Sequence, residues 1–167
     1  HVDESFLARP RTWDARGIVS FMLGLGPVSS IFDILTFAAM FWVVCPLVVG
    51  APWAALTDPA QRALFALVFQ TGWFVESMWT QTLVIHLLRT ERLPFVQSRP
   101  AASLTLLTML GVGLVTAMPY VPGVNSALDL VPLPGVFFGV LAAMMAGYLL
   151  LTSIAKVLYV RAVGELL

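Results

Sequence analysis

The chain has 167 residues, 59% of them hydrophobic and only 11% charged, with a formal net charge of +0 at pH 7 and a mean hydropathy of +0.92. That composition excludes a disordered segment, which needs low hydrophobicity, and a nucleic-acid binder, which needs a basic surface. The one cysteine, Cys45, excludes an intramolecular disulfide and reads as a buried apolar thiol.

In chain order, His1 to Arg16 form a polar lead-in containing Arg9-Pro10-Arg11. The chain begins without a methionine, and no small-residue cleavage site precedes its first apolar run, so it reads as a piece of a longer protein rather than a secreted one. The first span is expected at about residues 27–49. Gly26-Pro27 falls inside the apolar run, and because proline lacks an N–H, a short interfacial helix is expected before it and the true span after it.

Gly50-Ala51-Pro52-Trp53 opens a loop, and Thr57-Asp58-Pro59 has the form of a helix start, with an oxygen-bearing cap and proline in the first turn. The second span is expected at 63–88, the third at 101–118 after Arg99-Pro100, and the fourth at 134–159 after a loop rich in proline. Residues 160–167 form a tail. Each apolar interval holds the roughly 20 residues that an α-helix needs to cross about 30 Å of hydrocarbon. The fold class is therefore all-α, a transmembrane bundle of four helices over residues 17–159.

Of the 9 cationic residues, Arg62 alone lies in the first or third connection. Arg9, Arg11, Arg16, Arg89, Arg92, Arg99, Lys156 and Arg161 lie on the other side, so the positive-inside bias places both termini in the cytoplasm.

Two carboxylates break the apolar pattern. Asp33 is the only charged residue between Arg16 and Asp58, and Gly26, Ser29, Ser30 and Thr36 share its sector at 100° per residue. It is either an ion-site carboxylate or an anchor to a neighbouring helix. Glu76 is the only charged residue between Arg62 and Arg89, and Gln70, Trp73, Ser77, Thr80 and Gln81 share its broad sector. Oxygens of this kind suit a hard cation such as Mg²⁺, so Glu76 is the first candidate metal ligand and Asp33 the second; the alternative is helix-packing glue. One carboxylate per stripe does not complete a cation site, so further ligands are expected from elsewhere.

His86 is expected to meet headgroups or a loop near the inner interface, and no zinc-type ligand set exists. Gly135, Gly139, Ala143 and Gly147 recur every four residues and form a ridge of small side chains suited to close helix approach in lipid. No catalytic or cofactor-binding motif of a soluble enzyme is found.

Several phrases are more specific than these patterns. Gly26-Pro27-Val28-Ser29-Ser30-Ile31-Phe32-Asp33, Gln70-Thr71-Gly72-Trp73-Phe74-Val75-Glu76, Gln81-Thr82-Leu83-Val84-Ile85-His86 and Arg89-Thr90-Glu91-Arg92-Leu93-Pro94-Phe95 resemble the membrane region of bacterial magnesium-transporting P-type ATPases. So does Phe6-Leu7-Ala8-Arg9-Pro10-Arg11-Thr12-Trp13-Asp14, and the similarity covers essentially the whole chain. The resemblance implies the seventh to tenth helices of a ten-helix pump that imports Mg²⁺ through an aspartyl-phosphate intermediate. It also places Glu76 near an acidic ligand of related pumps. It implies Mg²⁺ and ATP for the parent and no cofactor for this segment, whose partners would be the lipid bilayer and the remaining helices, in a bacterial inner membrane. The Asp-Lys-Thr-Gly-Thr phosphorylation motif is not in these residues, so the segment alone is expected to be inactive. The competing reading is a stand-alone four-helix scaffold or channel subunit.

Overall fold

The computed structural model describes residues 15–88 and 101–163. The expectations for the polar lead-in, the inner connection with Arg89, Arg92 and Arg99, and the last tail residues lie outside them. Among the described residues the fold is all-α, with no strand. Its elements are α1 (Ala15–Ala39), a π-helical turn (Met40–Val44), α2 (Cys45–Val49), α3 (Pro59–Leu88), α4 (Ala102–Ala117), the short α5 (Val124–Ala127) and α6 (Gly135–Val163).

Among the described residues three stretches are long and apolar enough to cross a membrane: Met22–Val49, Ala102–Tyr120 and Gly135–Tyr159. At 30 residues α3 is the longest helix, about 45 Å at 1.5 Å per residue, but Gln70, Glu76, Gln81 and His86 make it less apolar than those three.

The expected break at Pro27 does not occur, because α1 runs straight through it. A proline inside an apolar helix forfeits one backbone bond, which neighbouring turns and helices tolerate in a membrane span. Pro27 lies on the exposed side of the helix. The irregular turn comes later, ahead of Pro46. Pro46 has no N–H to give Trp42 O, and in the turn just before it Cys45 N–H reaches back five residues to Met40 O. Gly50 ends α2 in the left-handed region at φ 88°, donating to Pro46 O at 2.8 Å.

The expected start of the next helix is present: Pro59 is its first residue, and Asp58 Oδ1 accepts from Ala60 N–H at 3.0 Å. Arg62 does not extend freely into solvent; its Nε donates to Leu56 O at 2.9 Å and its guanidinium lies 5.7 Å from the Trp53 ring centroid.

Helices α1, α3 and α6 pack on one another, and α4 packs on α3. The main core holds Met40, Val44, Leu56, Phe65, Val75 and Phe137, and a second cluster of Phe32, Leu87 and Tyr148 lies toward the other end. Gly72 permits the closest approach, since a Cβ there would collide with the Met40 thioether.

Candidate cation site and the contacts that hold it

Glu76 projects from α3 into the bundle and is 2% exposed, although carboxylates are almost never fully buried unless paired. The Thr36 hydroxyl of α1, itself buried, adjoins the carboxyl. Neither Glu76 Oε1 nor Thr36 Oγ1, both buried, has a hydrogen-bond partner aligned among the described residues. The α1–α3 crossing thus places acceptor-rich oxygens together without satisfying them. A buried polar group in that condition is unfavourable unless a proton, a water or a cation completes it.

The rest of the expected stripes divides. Gln70 and Gln81 are exposed, Trp73 and Ser77 are half-buried, and the Thr80 hydroxyl is turned to its own helix, toward Glu76 O at 3.2 Å and Ser77 O at 3.0 Å. The reason is angular: the sector spans about 140° at 3.6 residues per turn, Glu76 at one edge and Gln81 at the other, and one neighbouring helix cannot cover it all. On α1, Ser29 shares a 2.9 Å hydrogen bond with Tyr148 of α6, while Ser30 and Asp33 are exposed. Among the described residues no group of three His, Cys, Asp or Glu side chains stands together.

His86 departs from the expected headgroup or loop contact. It is buried, and its Nε2 lies 2.9 Å from Thr108 Oγ1 on α4. The Thr108 hydroxyl has its proton directed at Leu104 O, 2.8 Å away, so its oxygen is left to accept from the imidazole N–H. Trp79 and Thr116 repeat the arrangement one level outward, with Trp79 Nε1 donating at 3.0 Å to a Thr116 hydroxyl that itself donates to Val112 O at 2.7 Å. These two bonds tie α4 to the helix that carries Glu76.

The small-residue ridge on α6 is not a contact among these helices along its length. A Cβ at Gly135 or Gly139 meets nothing within 4 Å and Ala143 is exposed, whereas Gly147 lies 3.2 Å from the Phe32 ring by the same measure. A four-residue row drifts about 40° per step, so this one starts opposite the Phe137 and Leu141 face and reaches the buried side only at Gly147.

Lys156 is buried where the ends of α3 and α6 meet, and its Nζ donates to Leu87 O at 2.8 Å, capping the last turn of α3.

Comparison with known proteins decides the kind of molecule this is. The model of the family described as cation transporting ATPase, C-terminus, matches residues 2–158. The chain belongs to that family. It is 40% identical over 164 residues to the magnesium-transporting ATPase, P-type 1, of Salmonella typhimurium (strain LT2), a match covering 98% of this chain and 16% of the relative. It is 38% identical to the protein of the same name from Escherichia coli (strain K12), over 98% of this chain and 17% of that relative. The chain therefore spans about a sixth of the length of the curated relatives it matches. In this cation-transporting ATPase segment, sequence reasoning passed over Thr108, Thr116 and Trp79, whose hydroxyl and indole groups are unremarkable until α3 and α4 lie side by side. The burial of Lys156 has no signal in the sequence beyond its place inside the expected fourth span; Thr152, one turn earlier on the same face, is likewise buried.

Proposed function

We propose that this chain is the C-terminal membrane domain of a P-type ATPase that imports Mg²⁺ using ATP, and that it supports the cation pathway with Glu76 as the residue able to complete it. The reading rests on one observation above all: 40% identity over 98% of the chain to a magnesium-transporting ATPase. The stand-alone scaffold has no comparable support.

In this reading four helices cross a bacterial inner membrane with both termini in the cytoplasm, and the phosphorylation and nucleotide chemistry lies in the rest of the pump. The buried Glu76 with the Thr36 hydroxyl beside it supports a cation role, because a hard cation takes carboxylate and hydroxyl oxygens. Asp33, on the same helix as Thr36, is exposed in this segment. Mg²⁺ keeps several waters and takes few carboxylates directly, so the remaining ligands would come from water and from helices outside this chain.

The test is growth of a strain lacking Mg²⁺ uptake systems, carrying the full-length gene that encodes this chain, at limiting Mg²⁺. Restored growth, together with an ATP-dependent acyl phosphate on the purified protein, is the expected result. Growth that stays dependent on added Mg²⁺ despite full-length protein in the membrane would sink the reading.

A further inference from the structure

We infer that the Met40 thioether, lodged against Gly72, is the seal between Glu76 and the outer face of the membrane, and that a cation reaches Glu76 from outside only when this side chain swings away. The inference rests on the pump reading above and deepens it by naming the group that controls access to that site. Helices α1 and α3 are antiparallel neighbours, so one turn from Thr36 toward the connection at 50–58 stands Met40, and one turn the same way from Glu76 stands Gly72. Residues four apart lie on one face of a helix, so this pair covers the pocket that Thr36 and Glu76 form. Met40 is fully buried, and a Cβ at Gly72 would collide with its thioether and lie 3.2 Å from the Phe137 ring of α6. Three helices thus close over the carboxyl at this level with apolar groups alone.

Toward the other end of the bundle the pocket is closed by Phe32 of α1, one turn before Thr36, and Tyr148 of α6. Their rings meet edge to face at 5.2 Å, and the Tyr148 hydroxyl is fixed by its 2.9 Å bond with Ser29. The two closures differ in what holds them. Moving Tyr148 breaks a hydrogen bond and an aromatic pair. The Met40 side chain is unbranched, turns about three bonds and has no strong hydrogen-bonding group to lose. Its backbone opens the π-helical turn Met40–Val44, an interruption of the α-helical ladder of a kind frequent at functional sites. The Met40 side is therefore the one that yields, and in the orientation given by the cations it faces outward, the side from which an importer loads.

A methionine that only filled space would alter stability when truncated; a seal alters access, and the experiment reads access. In a full-length parent freed of its other cysteines, Glu76→Cys is treated in intact cells with a membrane-impermeant, cationic methanethiosulfonate, and its reaction is followed as loss of later maleimide labelling in denaturant. Adding Met40→Ala is expected to raise the rate about tenfold, equivalent to about 1.4 kcal/mol removed from the closed state. Gly72→Ala, whose methyl takes the seat of the thioether, should raise it in the same direction, and serves alone if Met40→Ala does not accumulate. Tyr148→Phe, on the opposite closure, should leave it unchanged. Unaltered rates in the Met40 and Gly72 variants overturn the inference, as does an equal rise in Tyr148→Phe, which would mean general loosening, or a reaction confined to inverted vesicles. Mg²⁺ uptake by the unsubstituted parent is measured alongside; its absence would sink the pump reading, while the labelling rates judge the seal.

Discussion

Glu76 and Asp33 were conspicuous in the sequence because each is the only charge in a long apolar interval, yet the sequence could not say which faces inward. Both sit in polar sectors, and the decision belongs to the crossing of α1 and α3, a long-range contact that no local period encodes. The oxygens of Gln70, Ser77, Thr80 and Gln81, which share a broad sector with Glu76, do not gather around it because neighbours at 100° intervals point in different directions; Thr36, on another helix, stands there instead. In the full-length pump, Glu76→Gln is expected to raise the Mg²⁺ concentration for half-maximal uptake about tenfold, equivalent to about 1.4 kcal/mol, and more than Asp33→Asn does. Transport titrations at matched protein levels check this; equal midpoints for wild type and Glu76→Gln would reduce Glu76 to a packing residue. Where the ends of α3 and α6 meet, Lys156→Met leaves the buried Leu87 carbonyl without its cap, at about 1–3 kcal/mol, and thermal unfolding in detergent should show the loss.

Among the elements, helix existence and approximate length were legible from apolar intervals and turn residues, and the Asp58-Pro59 start was found where its chemistry put it. Pro27 misled because the rule that proline breaks helices is calibrated in water; in an apolar run the helix has no better alternative for its other backbone groups. The link between α3 and α4 was not legible at all, since it depends on Trp79 and His86 arriving opposite threonines whose own protons are already directed at backbone carbonyls. Thr116→Val and Thr108→Val should each destabilise the domain by about 0.6 kcal/mol, and at most about 1.7, as interhelical hydrogen bonds in membranes do. Thr→Ser replacements at both positions should restore stability, which thermal melts of the four variants would decide. Overpacking the closest approach is expected to be worse. Gly72→Leu drives a side chain into Met40 and Phe137, at about 1–3 kcal/mol, with partial rescue by Met40→Ala.

For the whole molecule, the segregation of cations predicts an orientation that single-cysteine labelling can check. In a Cys45→Ala background, Ala55→Cys and Asn125→Cys should react with an impermeant maleimide added to intact cells, and Gln97→Cys should not. Labelling of the last alone would invert the topology. The bundle also has an unfinished side: α1 and α4 expose apolar residues such as Met22, Ile34, Leu107 and Leu114, as expected of a segment flanked by lipid and by other helices. The lysine cap has a consequence for how the two helix ends open. The bond from Lys156 to Leu87 O joins the end of α6 to the end of α3 across a sequence separation of 69, so neither end can fray without releasing the other's buried polar group. Backbone amides in the last turns of the two helices should therefore exchange their hydrogens together rather than independently.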